Sequence, residues 1–197
     1  MSGFASALAV APDWQDCCAQ LLQDLDVPSG ANLGFIYCAD QHADQIDEVI
    51  GRLRLQTGVQ HWVGSVGLGV SGVGRVEFDT PALSVLVGCF GDDQFRVFDS
   101  KDLSADTRAW ARTHDARFAI VHGDPHVTHL PDDIVSLAAS LDSGFLVGGL
   151  SSARGEAKQI AGRALRGGLS GALFAGDLTV ATQLSQGCSP ISEAHRV

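Results

Sequence analysis

Glycine in this chain is placed rather than scattered. It supplies 23 of 197 residues, about 12% against a usual 7% or so. Most of it closes an apolar run: GSVGLGVSGVG at 64–74, GFLVGGLSSARG at 144–155, GGLSG at 167–171 and Gly187 in QGCSP. A glycine just past a hydrophobic strand marks backbone that turns sharply or lies against another backbone or a ligand. These stretches therefore read as strand ends at close-packed corners.

Helical spacing lies between the glycine corners. Ile46, Val49, Ile50 and Leu53 recur at i, i+3, i+4, i+7, and Ile134, Leu137, Ala138 and Leu141 repeat the pattern after Pro131 and Asp132-Asp133, a helix-start signature. A helix at 13–25 carries Trp14, Cys17, Leu21 and Leu25 on one stripe, and another surrounds Trp110 at 104–113. Strands are predicted at 33–38, 59–64, 73–78, 82–90, 94–99, 116–122, 145–148, 158–165, 169–175 and 178–185. Compared with itself at a shift of 84, the chain brings Ile36 onto Ile120, Asp40 onto Asp124, His42 onto His126 and Val63-Gly64 onto Val147-Gly148. At a shift of 86, Leu83-Ser84 falls on Leu169-Ser170. The fold expected is α/β, with α+β as the variant: mixed β-sheets flanked by helices. It is built from two pseudo-two-fold related strand–helix–strand–hairpin units at roughly 31–100 and 115–190 of a single domain spanning 1–197.

Composition narrows the partners. With 45% hydrophobic and 18% charged residues, the chain folds around a core. Its 13 basic and 23 acidic residues give a net charge of −10, which argues against binding a phosphate backbone, so no nucleic acid is expected. No apolar run approaches the roughly 18 residues of a membrane span, and the first residues lack the charged region of a signal peptide; a cytoplasmic location is the expectation. Five cysteines in no C-x-x-C pattern fit a reducing compartment and give no reason to expect zinc.

Few residues carry chemistry. Gly67, Gly69 and Gly72 match G-x-G-x-x-G in form, but strand and turn follow where a dinucleotide site needs a helix. The corners at Gly64-Ser65 and Gly148-Gly149, with Ser151 and Ser152, offer backbone N–H groups and hydroxyls suited to a small anion such as a carboxylate. Tight strand packing with no ligand is the alternative at both corners. Asp124, just past a strand in HGDP, is either a turn cap or a ligand contact. His122, His126 and His129 lie close in sequence, but Asp-Pro between them breaks any shared helix face, and a solvated loop is expected. Haem ligation by one of the histidines stays open as a cofactor. Cys188, the one cysteine in a polar glycine-flanked setting, either contacts ligand or serves structure. As a nucleophile it would need a base that the sequence does not place beside it, so no catalytic residue is assigned and no enzyme activity is expected.

The runs VQHWVGSVGLGVSGVGRVEFDTPALSVLVGCF (59–90), FAIVHGDP (118–125), FLVGGLSSARG (145–155), GGLSGALF (167–174) and QGCSPISE (186–193) resemble the N-terminal FIST domain, named for F-box and intracellular signal transduction proteins. The resemblance implies a sensory input module that binds a small molecule such as an amino acid. It also implies a C-terminal FIST domain or a signalling output partner, and a haem-based gas sensor as the alternative. A ligand would sit among Gly64, Ser65, Asp124, Gly148, Gly149 and Cys188.

Overall fold

The computed structural model describes residues 3–72, 74–100, 105–141 and 144–183. Its elements follow one order twice. The first series is β1 (Phe4–Val10), α1 (Trp14–Asp24), β2 (Leu33–Ala39), α2 (Ile46–Thr57), β3 (His61–Gly67), the hairpin β4 (Gly69–Gly72) and β5 (Arg75–Phe78), and β6 (Ala82–Gly88). The second is β7 (Phe95–Asp99), α3 (Ala105–Thr113), β8 (Phe118–Gly123), α4 (Leu130–Ala138), β9 (Phe145–Leu150), the hairpin β10 (Lys158–Ala161) and β11 (Ala164–Arg166), and β12 (Leu169–Phe174). A 3-10 segment, Asp40–Gln45, leads into α2.

Each series builds a sheet of the same order, β1-β6-β2-β3 and β7-β12-β8-β9. In both, the central strand (β2 or β8) runs parallel to the strand that follows its helix and antiparallel to its other neighbour. The result is an α/β fold of mixed sheets with helices. The repeat starts earlier than the sequence comparison implied, because β1 and β7, each with its helix, belong to their units. β1 escaped notice because FASALAV carries little of the β-branched and aromatic content that announces a strand.

Period-2 alternation sorts the side chains into layers. Ile36, Cys38, Val85 and Val87 point from the first sheet to a core shared with Cys17, Cys18 and Leu21 of α1 and Val49, Ile50 and Leu53 of α2. Ala119, Val121, Leu169 and Leu173 do the same toward α3 and α4. The opposite faces meet each other: Leu33, Phe35 and Val63 of one sheet pack with Ala172, Phe174, Phe118 and Ile120 of the other. Four layers result, helix on sheet on sheet on helix. The sheets are also stitched at an edge, since β10 of the second series pairs antiparallel with β3 of the first.

Register fixes the correspondence between the units. Ile36 stands opposite Gly64 and Val85, while Val121 stands opposite Gly148 and Gly171. Gly64 therefore matches Gly148, and Ser84 matches Ser170, as the sequence shifts indicated. Ile36 matches Val121 rather than Ile120, because the β8–β9 connection is one residue shorter than that between β2 and β3. Asp40 and Asp124 accordingly fall one position out of step. Two further expectations change. The run 158–165 breaks into a hairpin at Gly162, where φ is +71°, and the described part of 178–185 forms no strand.

Parallel pairing is unusually close where the glycines stand. A Cβ on Gly64 would lie 1.7 Å from the Ile36 carbonyl oxygen, and one on Gly148 would lie 1.8 Å from that of Val121. Either methyl would force the strands apart and break ladder hydrogen bonds. Gly148→Ala should therefore cost about 3 kcal/mol, read as a lower urea midpoint. Gly155→Ala, where nothing lies within 4 Å of the new methyl, should change the midpoint little.

Candidate functional site

The inner layer changes character along each parallel strand. Its inward positions read Leu33, Phe35, Tyr37 in β2; His61, Val63, Ser65 in β3; Phe118, Ile120, His122 in β8; and Phe145, Val147, Gly149 in β9. At one end, aromatic rings close the layer: Phe118 lies against Phe145 and Phe174, and Phe90 against Phe95. At the other end, the carboxyl ends of β2, β3, β8 and β9, polar and small residues converge. Large side chains give out there, and a cavity of about 290 Å³ opens, lined by Tyr37, Ser65, Val66, Gly67, Gly69, His122, Gly148, Gly149, Leu150 and Ser152.

Both units build its walls. Tyr37 and His122 occupy matching register positions, and the phenol oxygen lies 3.2 Å from His122 Nε2. Burial pushes the Tyr37 phenol up, so it keeps its proton at neutral pH. Burial also drives His122, 4% exposed, down to about 4, so its imidazole is neutral. The Tyr37 hydroxyl can then donate to Nε2. His122 Nδ1 is buried with no partner among the described residues, so no carboxylate stands behind the ring.

Across the cavity, Ser65 Oγ and Ser151 Oγ are 2.6 Å apart, and Gln159 Nε2 donates to Ser151 Oγ at 3.0 Å. The Leu68 N–H donates to Ser152 Oγ. The segment after β9 is tied to the first unit again at Arg154, whose backbone and guanidinium donate to Asp40 and whose Nη2 reaches Asp79. Among the described residues, none that lines the cavity is charged. The site therefore offers hydroxyls, an imidazole edge and strand-end backbone, a surface for hydrogen-bonding small molecules.

Of the sequence candidates, Ser65, Gly148 and Gly149 line this cavity together. Gly64 lies one residue behind it, its place fixed by strand packing. Asp124 stands apart, in a shallow depression with His126, Gly155, Glu156 and Arg166. Its Oδ1 accepts from the N–H and Nδ1 of His126, the turn-cap arrangement and not a contact at the glycine corners. Cys188 lies outside the described residues. Tyr37 and His122 were missed as site residues. His122 closes the strand predicted at 116–122, yet in place of the solvated setting expected for the histidine run it is buried, whereas His126 and His129 are exposed beside Asp124 and Asp133. The signal was present: in both central strands the inward alternation ends on a polar ring. Among the described residues, no group of three or more His, Cys, Asp or Glu is placed to hold a metal ion.

Comparison with protein families supplies the class. The family model for the FIST N domain matches residues 32–197, and the chain belongs to that family, whose members are sensory domains of signal transduction. No curated protein matches the chain. Among the described residues, no helix is long and apolar enough to cross a membrane.

The buried imidazole sets a pH dependence. Unfolded, it titrates near pH 6.5; folded, it holds no proton until about 4. Between those values the unfolded chain binds more protons, so stability falls as pH is lowered through this window and the loss levels off below it. Between about pH 7 and pH 4, the wild type should lose on the order of 3 kcal/mol more unfolding free energy than His122→Gln. Urea titrations of both proteins across that range check this; His42 and His61, also pushed down by burial, are common to both.

Proposed function

We propose that this chain is the ligand-binding sensory domain of a cytoplasmic signal transduction protein. Its ligand is a small polar molecule of amino-acid size, held in the cavity between the two glycine corners. The observation that carries this reading is the convergence of Tyr37 and Ser65 from the first unit with His122, Gly148 and Gly149 from the second around one uncharged hollow. Interior space between packed sheets is normally filled by side chains; here the strands place a glycine and hydroxyls where alternation calls for bulk. Family membership agrees with a sensory role, and the output is passed to a partner or a further domain.

The geometry favours binding over turnover. Among the described residues the lining has no carboxylate, cysteine or charged group, and the one imidazole has no acid behind it, so these residues assemble no activated nucleophile there. Asp124, a candidate ligand contact, lies outside the hollow. Hydroxyls and strand-end carbonyls are the groups on offer to an ammonium, and backbone N–H groups those on offer to a carboxylate.

Gly149 gives the cleanest test, because nothing lies within 4 Å of a Cβ placed there. Gly149→Val should fill the cavity and leave the strand pairing intact, whereas Gly148→Val would strike the Val121 carbonyl. Wild type should show a thermal shift and calorimetric binding with at least one member of an amino-acid and small-carboxylate panel. Gly149→Val should lose that binding with its unliganded Tm close to wild type. No binding by wild type across the panel, or binding that survives Gly149→Val, would count against this site.

A further inference from the structure

Three side chains from three parts of the fold meet behind the Ser65 wall of the cavity. Gln159 of β10 stands opposite Ser65 of β3 in their antiparallel pair, and Ser151 follows directly on β9. Gln159 is 1% exposed and Ser151 5%, so bulk water does not compete for their hydrogen bonds. Gln159 Nε2 lies 2.7 Å from the Ala157 carbonyl oxygen and 3.0 Å from Ser151 Oγ. Ser151 Oγ in turn lies 2.6 Å from Ser65 Oγ and 3.5 Å from the Lys158 carbonyl oxygen.

The directions of these bonds follow from one fixed acceptor. A carbonyl oxygen only accepts, so the amide atom facing Ala157 is the nitrogen; turned over, the amide would set Oε1 against another oxygen. The same nitrogen directs its second hydrogen at Ser151 Oγ, which therefore accepts. The Ser151 hydrogen has two acceptors among the described residues, and the one at 2.6 Å takes it over the one at 3.5 Å, where a hydrogen bond is nearly lost. Ser65 Oγ accepts from Ser151 in consequence. Its own hydrogen is left with the Val66 carbonyl at 3.3 Å or with a group in the cavity that Ser65 lines. This arrangement leaves Gln159 Oε1 buried with no partner among the described residues, an orphan acceptor of a kind that native interiors seldom keep.

We propose that Gln159 and Ser151 hold Ser65 as a hydrogen-bond donor to the ligand, so that the cavity selects molecules setting an acceptor, such as a carboxylate oxygen, against Ser65. The inference rests on the cavity being a ligand site. A ligand offering a donor there would turn the Ser65 hydrogen back onto Ser151. The Ser151 hydrogen would then have only the Lys158 carbonyl, 3.5 Å away, and a buried polar hydrogen left without a good partner is the penalty by which a hydrogen-bonding site rejects the wrong molecule. Chained donors also polarise one another, each hydroxyl that accepts becoming a better donor. Ser65 is thus the specificity residue, and Gln159, which does not line the cavity, is a positioning residue.

Two measurements on the full chain test this, the first without any ligand. In nitrogen–proton NMR spectra, both side-chain amide protons of Gln159 should be protected from solvent exchange, and Ser151→Ala should shift one of them far more than the other, which stays on Ala157. The second is calorimetry with amino acids and small carboxylates, each paired with the primary amine that lacks the carboxyl group. Wild type should bind carboxyl-bearing members and prefer them over the matched amines. Ser65→Ala should weaken the carboxyl-bearing members about tenfold and leave any amine binding unchanged, while Ser65→Thr, which keeps the hydroxyl, should stay close to wild type. Gln159→Met should narrow the preference for carboxylates; the Ser65 variants and the amide spectrum keep the test if that buried substitution does not fold. Gln159 protons indifferent to Ser151→Ala, or binding that ignores both Ser65 and the carboxyl group, would overturn this inference alone. A wild type that binds no member of the panel would overturn the ligand-site reading and this inference with it.

Discussion

The face-to-face packing of two sheets with the same strand order is the constraint from which the rest follows. Each sheet already buries one face under its own helices, so the second face must be covered, and the other sheet covers it. Phe35 and Val63 meet Ile120, Ala172 and Phe174 in that layer. Burial at about 25 cal/mol per Å² makes such a layer a dominant stabilising term. It also fixes where a site can form, because equivalent strands are brought together with their carboxyl ends at one end of the layer. Any polar residue placed at a strand end is then delivered to a shared hollow.

Glycine has two separate uses there. Gly64 and Gly148 serve the ladder, where the neighbouring carbonyl leaves no room for a methyl. Gly149, one residue further along β9, serves the hollow, being the site where an inward side chain is missing. The register sets Gly149 in the place that Ser65 holds in the first unit, so one cavity wall offers a hydroxyl and the matching wall offers backbone. The connection after β9 is then tied to the first unit through Ser151, Ser152 and Arg154. The Arg154 pairs lie at an exposed site and contribute little to stability, but they hold the second corner against the first. A molecule bound in the hollow touches both units at once, which is the arrangement a sensor needs if binding is to alter their relation.

The helices were legible because their spacing is local. Ile46 to Leu53 and Ile134 to Leu141 state a period of 3.6 within two turns, and the structure keeps α2 over the first and α4 over most of the second, Leu141 falling just past its end. Gly64 and Gly148 were legible as partners because the register preserves their shift of 84. Less was legible at β1, where FASALAV pairs with β6 only because a distant strand offers the edge, and at 158–165, where Gly162 turns an apparent strand into a hairpin that leaves its own unit to cover β3.

By itself, the sequence determined the class of fold, the helices, the two glycine corners and the hydroxyls beside them, since each depends on contacts within a few residues. Only the tertiary structure decided which corner residues share a cavity. Sheet pairing and layer packing carried Asp124 away to cap its own turn, buried His122 at the end of β8, and set it 3.2 Å from Tyr37, 85 positions earlier in the chain. The physical reason is parity: inward and outward faces alternate every residue, so a one-residue difference between two connections decides which side chain meets which.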